Sequence, residues 1–495
     1  MPTHAPVQSL RISFFLNERA LTATVAPDMT ALELLRDELG LTGTKESCAE
    51  GDCGSCTVAL GQIENGRAAY RALNACLLPA PRLHGRHLVT IEGLAEGERL
   101  HLLQRLMLDH HATQCGWCTP GVIMSLFCLL ASGGRADDEA LAAALEGNLC
   151  RCTGYETIRL AGRAAAKAVA RARGQWRRLV LPGYVGDVER RLKAFTAAPT
   201  ACSEARFAAR RTLAYDQPHS LDELFTFWEA AGPEQARLLN GGTDLLVAMN
   251  IRGEHPERLI DLSAVGELDG IEAAGAGLRI GGTATLARIQ ASPLVKARQP
   301  ELAAAITRIG SAQVRNAATL AGNVANASPV ADGAVALLGL NARLHLASRR
   351  GERTLAVEEF YLDYKKTALG CGELIAAIGI PAAAGHCSFI KAGKRVAVDI
   401  AGVNSFCQLR LHKGRVASCR VAFGGVAKYP RLAGRCSEFL NGRKLDGATI
   451  ADAAAIAAAE FAPISDIRGS AAYRSLLVRR QVESHLEAAA AGGGR

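Results

Sequence analysis

The stretch Cys48-Ala49-Glu50-Gly51-Asp52-Cys53-Gly54-Ser55-Cys56, followed later by Cys76, decides how the first part of this 495-residue chain must fold. Three cysteines spaced Cys-x4-Cys-x2-Cys with a distant fourth are an arrangement that wraps a two-iron, two-sulfide (2Fe-2S) cluster. Four thiolates must converge on two irons, and a tight loop supplies three of them only if it curls around the cluster. Gly51 and Gly54 permit the curl, because glycine tolerates positive φ. They also let backbone N–H groups approach the sulfurs. The rival reading is zinc, which prefers paired Cys-x2-Cys knuckles.

The flanking sequence fits a small domain built around this loop. Leu10, Ile12 and Phe14, then Leu21, Ala23 and Val25, alternate as two strands do, with Asn17-Glu18 as the turn between them. Thr30 with Glu33 forms a capping box at the start of a helix that Gly40 stops. A strand at 57–60 follows the cysteine loop. Hairpin, helix, loop and strand in this order predict a β-grasp, ferredoxin-like domain over 8–92.

From about residue 94 the pattern becomes helical, at 100–109, 120–130, 137–145 and 157–173, which predicts a compact helical bundle over 93–173. It holds a second set of cysteines, Cys115, Cys118, Cys150 and Cys152. Pro120 places Cys115 and Cys118 at a helix N-terminus, where the helix dipole favours thiolate. Residues two apart do not share a helix face, so Cys150 and Cys152 belong in a connection between helices. By spacing alone, zinc and a second 2Fe-2S cluster both remain open here.

Residues 174–210 read as an interdomain linker. Between Arg171 and Arg211 lie ten Lys or Arg against Asp187, Glu189 and Glu204, so this stretch carries seven of the chain's net charge of +9. A solvated linker explains that better than a nucleic-acid surface, and no nucleic-acid partner is expected. Mixed α and β segments follow, predicting a cofactor-binding domain over 211–384 and a C-terminal α+β domain over 385–490. Strands are expected at 389–426, an alanine-rich helix near 450–461, and a frayed tail from 488. The fold class predicted is thus multidomain α+β. The apolar run at 121–130 is too short to cross a bilayer, and residues 1–10 lack the features of a signal peptide. The expectation is a soluble, cytoplasmic chain without a membrane partner. The seven scattered cysteines (Cys128, Cys202, Cys371, Cys387, Cys407, Cys419 and Cys436) are read as buried small residues.

Two glycine- and amide-rich segments suggest a large polar ligand. In Leu238-Leu239-Asn240-Gly241-Gly242-Thr243-Asp244-Leu245, adjacent glycines bring backbone N–H groups toward a pyrophosphate and Thr243 adds a hydroxyl. A plain turn is equally compatible with it. The second segment runs from Gln313-Val314-Arg315-Asn316 through Thr319, Leu320, Ala321, Gly322 and Asn323 to Asp332, which is also expected to cap the following helix.

The motifs Gly51-Asp52-Cys53-Gly54-Ser55-Cys56, Gln114-Cys115-Gly116-Trp117-Cys118-Thr119-Pro120-Gly121 and Asn148-Leu149-Cys150-Arg151-Cys152-Thr153-Gly154-Tyr155 together resemble the iron–sulfur region of the molybdenum hydroxylases. That family includes xanthine dehydrogenases, aldehyde oxidases and carbon monoxide dehydrogenases. The resemblance implies two 2Fe-2S clusters, with the helical-domain cluster nearer molybdenum and the ferredoxin-like one nearer a flavin. It implies FAD bound by 238–245, by Thr319 to Asn323 and by Asp332, with Ile309, Ile375 and Lys391 at further contact positions. Ile309 departs from animal members, which have an aromatic residue there. The basic group Lys391, Lys394 and Arg395 reads as solvated surface or as a flavin-side loop. No molybdopterin-binding region is evident, so the molybdenum cofactor is expected only on a partner, a molybdopterin-binding large subunit, in a heterodimer or dimer of heterodimers. Fusion of iron–sulfur and flavin parts in this order resembles bacterial xanthine dehydrogenases and implies NAD as acceptor. The alternatives are another molybdenum hydroxylase, acting on an aldehyde or N-heterocycle, or a non-catalytic iron–sulfur redox scaffold. No side chain is nominated as a catalytic acid or base.

Overall fold

Alternation in the first twenty-five residues produces the expected hairpin. Strands β1 (Ser9–Leu16) and β2 (Arg19–Val25) pair antiparallel, with Asn17 at φ 54° in the turn. The computed structural model describes residues 8–133, 136–195, 200–202, 212 and 214–492. Thr30 caps the next helix with Glu33 as the sequence predicts, but after Ala31–Glu33 the chain widens into a π-helical turn, Leu34–Glu38. Strands β3 (Thr57–Glu64), β4 (Arg67–Asn74) and β5 (His87–Val89) complete a sheet of order β2-β1-β5-β3-β4, with β1 and β5 parallel. This is the β-grasp arrangement. The sequence pattern alone locates only the start of β3 and none of β4 or β5.

Leu10, Ile12 and Phe14 point into one core with Met29, Leu35 and Leu88. Phe15, on the opposite face, is buried as well, beneath Val188 and Leu192. That cover comes from the stretch expected as a linker. Residues 174–210 include two helices, Trp176–Val180 and Val185–Lys193, and a short strand β6 (Thr200–Cys202) that extends the sheet beside β1. Part of their charge is paired: Glu189 accepts from Arg177 at 3.1 Å and also from the backbone N–H of Ala68 at 3.2 Å. The rest of that stretch, 196–199 and 203–210, lies outside the described residues.

The helical segments form at Leu102–Asp109, Thr119–Ala131, Asp138–Leu145 and Glu156–Arg171, packed around Leu103, Phe127 and Ile158. The chain divides into two compact units. The first comprises Met1–Asp216, Gln235–Asp261 and Ser311–Ala317, and the second Gln217–Glu234, Leu262–Gly310 and Ala318–Arg495. The first unit therefore also contains a three-stranded parallel sheet of β7 (Ala214–Asp216), β9 (Arg258–Asp261) and β8 (Ala236–Leu239), in that order.

Among the described residues the second unit has two larger sheets, besides a two-stranded pairing of Tyr361–Asp363 with Lys366–Thr367. One has five strands, in the order Ile271–Ala274, Gly277–Gly281, Glu373–Ile380, Arg343–Ser348 and Gly351–Ala356. Helices including Pro300–Thr307 and Asp332–Gly339 cover it, sharing a core of Leu302, Leu337, Leu344 and Ile378. The other has four strands, His386–Ala392, Val403–His412, Arg415–Gly424 and Arg431–Leu432, and packs on the helices Gly447–Glu460 and Ala471–Gly492. The last helix corrects the expected frayed tail: 488–492 are helical, and 493–495 lie outside the described residues. Among the scattered cysteines, Cys128, Cys407, Cys419 and Cys436 are buried and Cys387 is half-buried. Cys371 is exposed, contrary to expectation, and the side chain of Cys202 lies outside the described residues. No described helix is long and apolar enough to cross a membrane.

Candidate cofactor sites

The first cysteine loop has the predicted curl, with Gly51 at φ 84° and Gly54 at φ 66°. It brings all four cysteines into one region as two close pairs. Cys56 Sγ lies 3.4 Å from Cys76 Sγ, and the backbone N–H of Cys53 points at Cys48 Sγ over 3.4 Å. Asn74 reaches toward Cys56 Sγ, and its own buried Oδ1 has no hydrogen-bond partner. The Cys48 thiol and nearby backbone N–H groups pull Cys53 down to about 4, while the same hydrogen bond, together with burial, pushes Cys48 up. Cys76 is likewise raised by Cys56. Four simultaneous thiolates here require added positive charge, which is what an iron cluster brings.

The second set sits as predicted: Cys118 at the N-cap of the helix Thr119–Ala131, and Cys150 and Cys152 between helices. Cys115 and Cys152 approach to 3.6 Å at the surface, and Cys150 is buried. The expected effect of the helix dipole on Cys118 is not what dominates. Burial and the neighbouring Cys150 push its thiol up to about 12. Among the described residues no three His, Cys, Asp or Glu side chains gather as a site for a metal ion; the cysteines meet in pairs.

The two cysteine sets are joined by direct hydrogen bonds. The N–H of Leu149, beside Cys150, donates to the carbonyl of Cys53 at 2.9 Å. Asn148 donates to the Gly54 carbonyl at 3.1 Å, and its Oδ1 accepts from Ser125 at 2.7 Å and from Gln313 at 3.1 Å. Arg315 forms a buried ion pair with Glu146, and Asn316 donates to the Ala72 carbonyl at 2.9 Å. The run Gln313 to Asn316, grouped by sequence with the flavin segment, thus braces the iron–sulfur region instead.

In the same unit, Leu238 and Leu239 end β8, and Asn240, Gly241, Gly242, Thr243 and Asp244 form a loop before a short helix from Leu245. Gly242 has φ 77°, and a Cβ there would lie 2.6 Å from Leu246. Arg82 and Asn250, which no sequence motif singles out, hold this segment. Arg82 donates to the carbonyls of Leu239 (3.1 Å) and Asn240 and pairs with Asp261, which Tyr215 also contacts. Asn250 donates to the carbonyls of Cys76 (2.9 Å) and Ala49 (3.0 Å). No local spacing could have revealed partners so distant in sequence. The one available signal was an arginine in an otherwise apolar stretch, Leu77-Leu78-Pro79-Ala80-Pro81-Arg82-Leu83.

The second unit gathers most of the other flavin-associated residues. The Lys391 side chain is only 6% exposed, donating to Asp332 at 2.7 Å and to the carbonyl of Arg308, next to Ile309, at 2.8 Å. It is therefore not solvated surface. Asn404 donates to the other Asp332 oxygen. Asp332 is the first residue of its helix; Ala331 occupies the cap position, so the expected capping role is replaced by this buried pair. Burial raises the Asp332 carboxyl, and Lys391 opposes the rise. Thr319 caps Leu320–Ala325 by accepting from Gly322 N–H at 3.0 Å. The buried Oδ1 of Asn323 has no hydrogen-bond partner, and a Cβ on Gly333 would stand 2.5 Å from it. Ile375 lies in the apolar core, partnering Leu346 across the sheet. Within the second unit, the unpartnered amide oxygen of Asn323 and the Lys391–Asp332 pair fit a polar, hydrogen-bonding cofactor.

Comparison with known proteins agrees. Residues 14–80 match the 2Fe-2S iron–sulfur cluster binding domain, and 90–163 the [2Fe-2S] binding domain. Residues 208–383 match the FAD binding domain in molybdopterin dehydrogenase, and 388–489 the CO dehydrogenase flavoprotein C-terminal domain. The chain is 30% identical to xanthine dehydrogenase from Emericella nidulans, over 89% of this chain and 36% of that protein. It thus spans little more than a third of that relative's length. Among solved structures, carbon monoxide dehydrogenase from Hydrogenophaga pseudoflava superposes with a TM-score of 0.55 at 31% identity, over 57% of this chain and 98% of that one. Quinoline 2-oxidoreductase from Pseudomonas putida 86 gives 0.54 at 31%, over 57% and 98%. Two 2Fe-2S domains and an FAD-binding domain in one polypeptide follow from these matches: the chain belongs to the molybdenum hydroxylase family and carries its iron–sulfur and flavin parts.

Proposed function

We propose that this chain is the electron-transferring subunit of a cytoplasmic xanthine dehydrogenase. Cys48, Cys53, Cys56 and Cys76 hold one cluster; Cys115, Cys118, Cys150 and Cys152 hold the other. FAD rests on 238–245, Thr319 to Asn323, Asp332 and Lys391, with Ile309 and Ile375 beside it. The domains are taken as 8–92, 93–173, 211–384 and 385–490, with 174–210 as the stretch linking the second and third. When bound, the clusters supply one-electron carriers and FAD a two-electron carrier that reduces NAD, and the cofactors carry that chemistry.

The chain's own residues order the path. Cys115 and Cys152 are exposed, as are the neighbouring Trp117, Leu149 and Tyr155. Such an apolar rim favours docking of a molybdopterin-binding partner at the second cysteine set. The Leu149 N–H to Cys53 carbonyl bond then leads inward to the first set. The observation that carries the xanthine dehydrogenase reading is the match through both iron–sulfur and flavin parts over 89% of the chain. A second reading, an N-heterocycle or aldehyde hydroxylase, draws on the quinoline 2-oxidoreductase likeness.

The test is anaerobic titration of the purified chain with its copurifying partner. Xanthine bleaches flavin and clusters, and added NAD restores them. Bleaching by quinoline but not xanthine favours the second reading, and no reoxidation by NAD removes the acceptor assignment.

A further inference from the structure

The loop at 238–245 is fastened at both ends to the ferredoxin-like domain. At its entry, the Arg82 guanidinium makes a two-point ion pair with Asp261, Nε to Oδ2 at 2.7 Å and Nη2 to Oδ1 at 2.6 Å. Its Nη2 also donates to the carbonyls of Leu239 and Asn240, the last two residues before the glycines. The Asp261 side chain is fully buried and that of Arg82 is 14% exposed. A buried ion pair is a weak source of net stability, because desolvation offsets most of the attraction. A two-point guanidinium fork does impose a fixed geometry. At the exit, Asn250 Nδ2 donates to two carbonyls of the first cysteine set, those of Cys76 at 2.9 Å and Ala49 at 3.0 Å. Cys76 and Arg82 are themselves only six positions apart.

We propose that Arg82 and Asn250 are positioning residues that fix the flavin loop relative to the first cysteine set. Arg82 shapes the loop for the dinucleotide. Asn250 provides the hydrogen-bonded bridge through which an electron leaves the Cys76 side of the cluster for the flavin. This rests on the assignment of a cluster to Cys48, Cys53, Cys56 and Cys76 and of FAD to 238–245.

The test uses the full chain carrying both clusters and FAD. Asn250→Leu removes both donors at an exposed position with little change in size. Arg82→Lys keeps the charge and loses the fork. Three quantities are read: iron per chain, FAD dissociation constant by flavin fluorescence, and the rate at which electrons placed on the clusters by a one-electron reductant pulse appear on flavin. Asn250→Leu is expected to keep iron and FAD while slowing the transfer at least about tenfold. Arg82→Lys is expected to weaken FAD binding at least about tenfold, equivalent to about 1.4 kcal/mol, with iron unchanged. A contact that served only folding stability would lower the denaturation midpoint and leave transfer in a fully loaded variant unchanged. Wild-type transfer in loaded Asn250→Leu overturns the bridge even if Arg82→Lys fails to fold, and wild-type FAD affinity in Arg82→Lys overturns the loop-shaping role. Absence of iron or FAD from the unmodified chain overturns the cofactor assignment itself, and this inference with it.

Discussion

At the scale of single residues, Gly54 shows how tightly the two cysteine loops are fitted. Its φ is 66°, and a Cβ there would stand 2.1 Å from the carbonyl oxygen of Gly147, which precedes Asn148 and Cys150. The clash is with backbone, which cannot rotate away. Gly54→Ala is therefore expected to destabilise the first unit by more than the roughly 1–2 kcal/mol that a left-handed residue alone costs. Chemical denaturation of the cluster-loaded chain measures this, and a midpoint within error of wild type would refute the packing. The cysteines and glycines of this loop were legible in the sequence because their spacing is local and the chemistry of iron ligation demands it. The partner atoms were not. Gly147 and Asn148 reach the loop across long stretches of chain, with Gln313 holding Asn148 from further still, and nothing periodic announces them. Asp332 illustrates the same limit: its position before a helix suggested a cap, whereas its partner Lys391 lies 59 residues away.

At the scale of elements, apolar periodicity located the four helices of the second cysteine region within a few residues. Charge misled it elsewhere. The helix Val185–Lys193 looked like solvated linker because its exposed face is rich in arginine, yet Val188 and Leu192 bury Phe15. The helix Ala471–Gly492 was hidden by its mixed composition. It is pinned by His485, whose Nδ1 meets Ser388 and whose Nε2 meets Ser405 at 2.8 Å, both in neighbouring strands. Burial pulls this imidazole down to about 3, against about 6.5 for a free ring. Between those values the unfolded chain binds a proton that the folded one refuses. The resulting stability is fully present above about pH 6.5 and is lost as pH falls toward 3, by up to about 1.4 kcal/mol per pH unit. His485→Gln should flatten that dependence by up to one proton, read as the slope of unfolding free energy against pH. An unchanged slope would show that the ring is not held neutral.

At the scale of the whole molecule, two iron–sulfur domains precede an FAD-binding domain and its C-terminal companion in a single chain. That order was readable because the cysteine motifs are specific and the flavin segments follow them in sequence. The placement of 235–261 and 311–317 in the same unit as the cysteines was not readable, since both interrupt the flavin part of the chain. The central claim is that eight cysteines hold two separate 2Fe-2S clusters alongside one FAD. The most direct measurement is iron, acid-labile sulfide, zinc and flavin per purified chain, with low-temperature electron paramagnetic resonance after reduction. Two 2Fe-2S domains and one flavin domain predict about four irons, about four sulfides, one FAD and two distinct 2Fe-2S signals. Zinc in place of half the iron, a single signal, or a folded chain without flavin would contradict it.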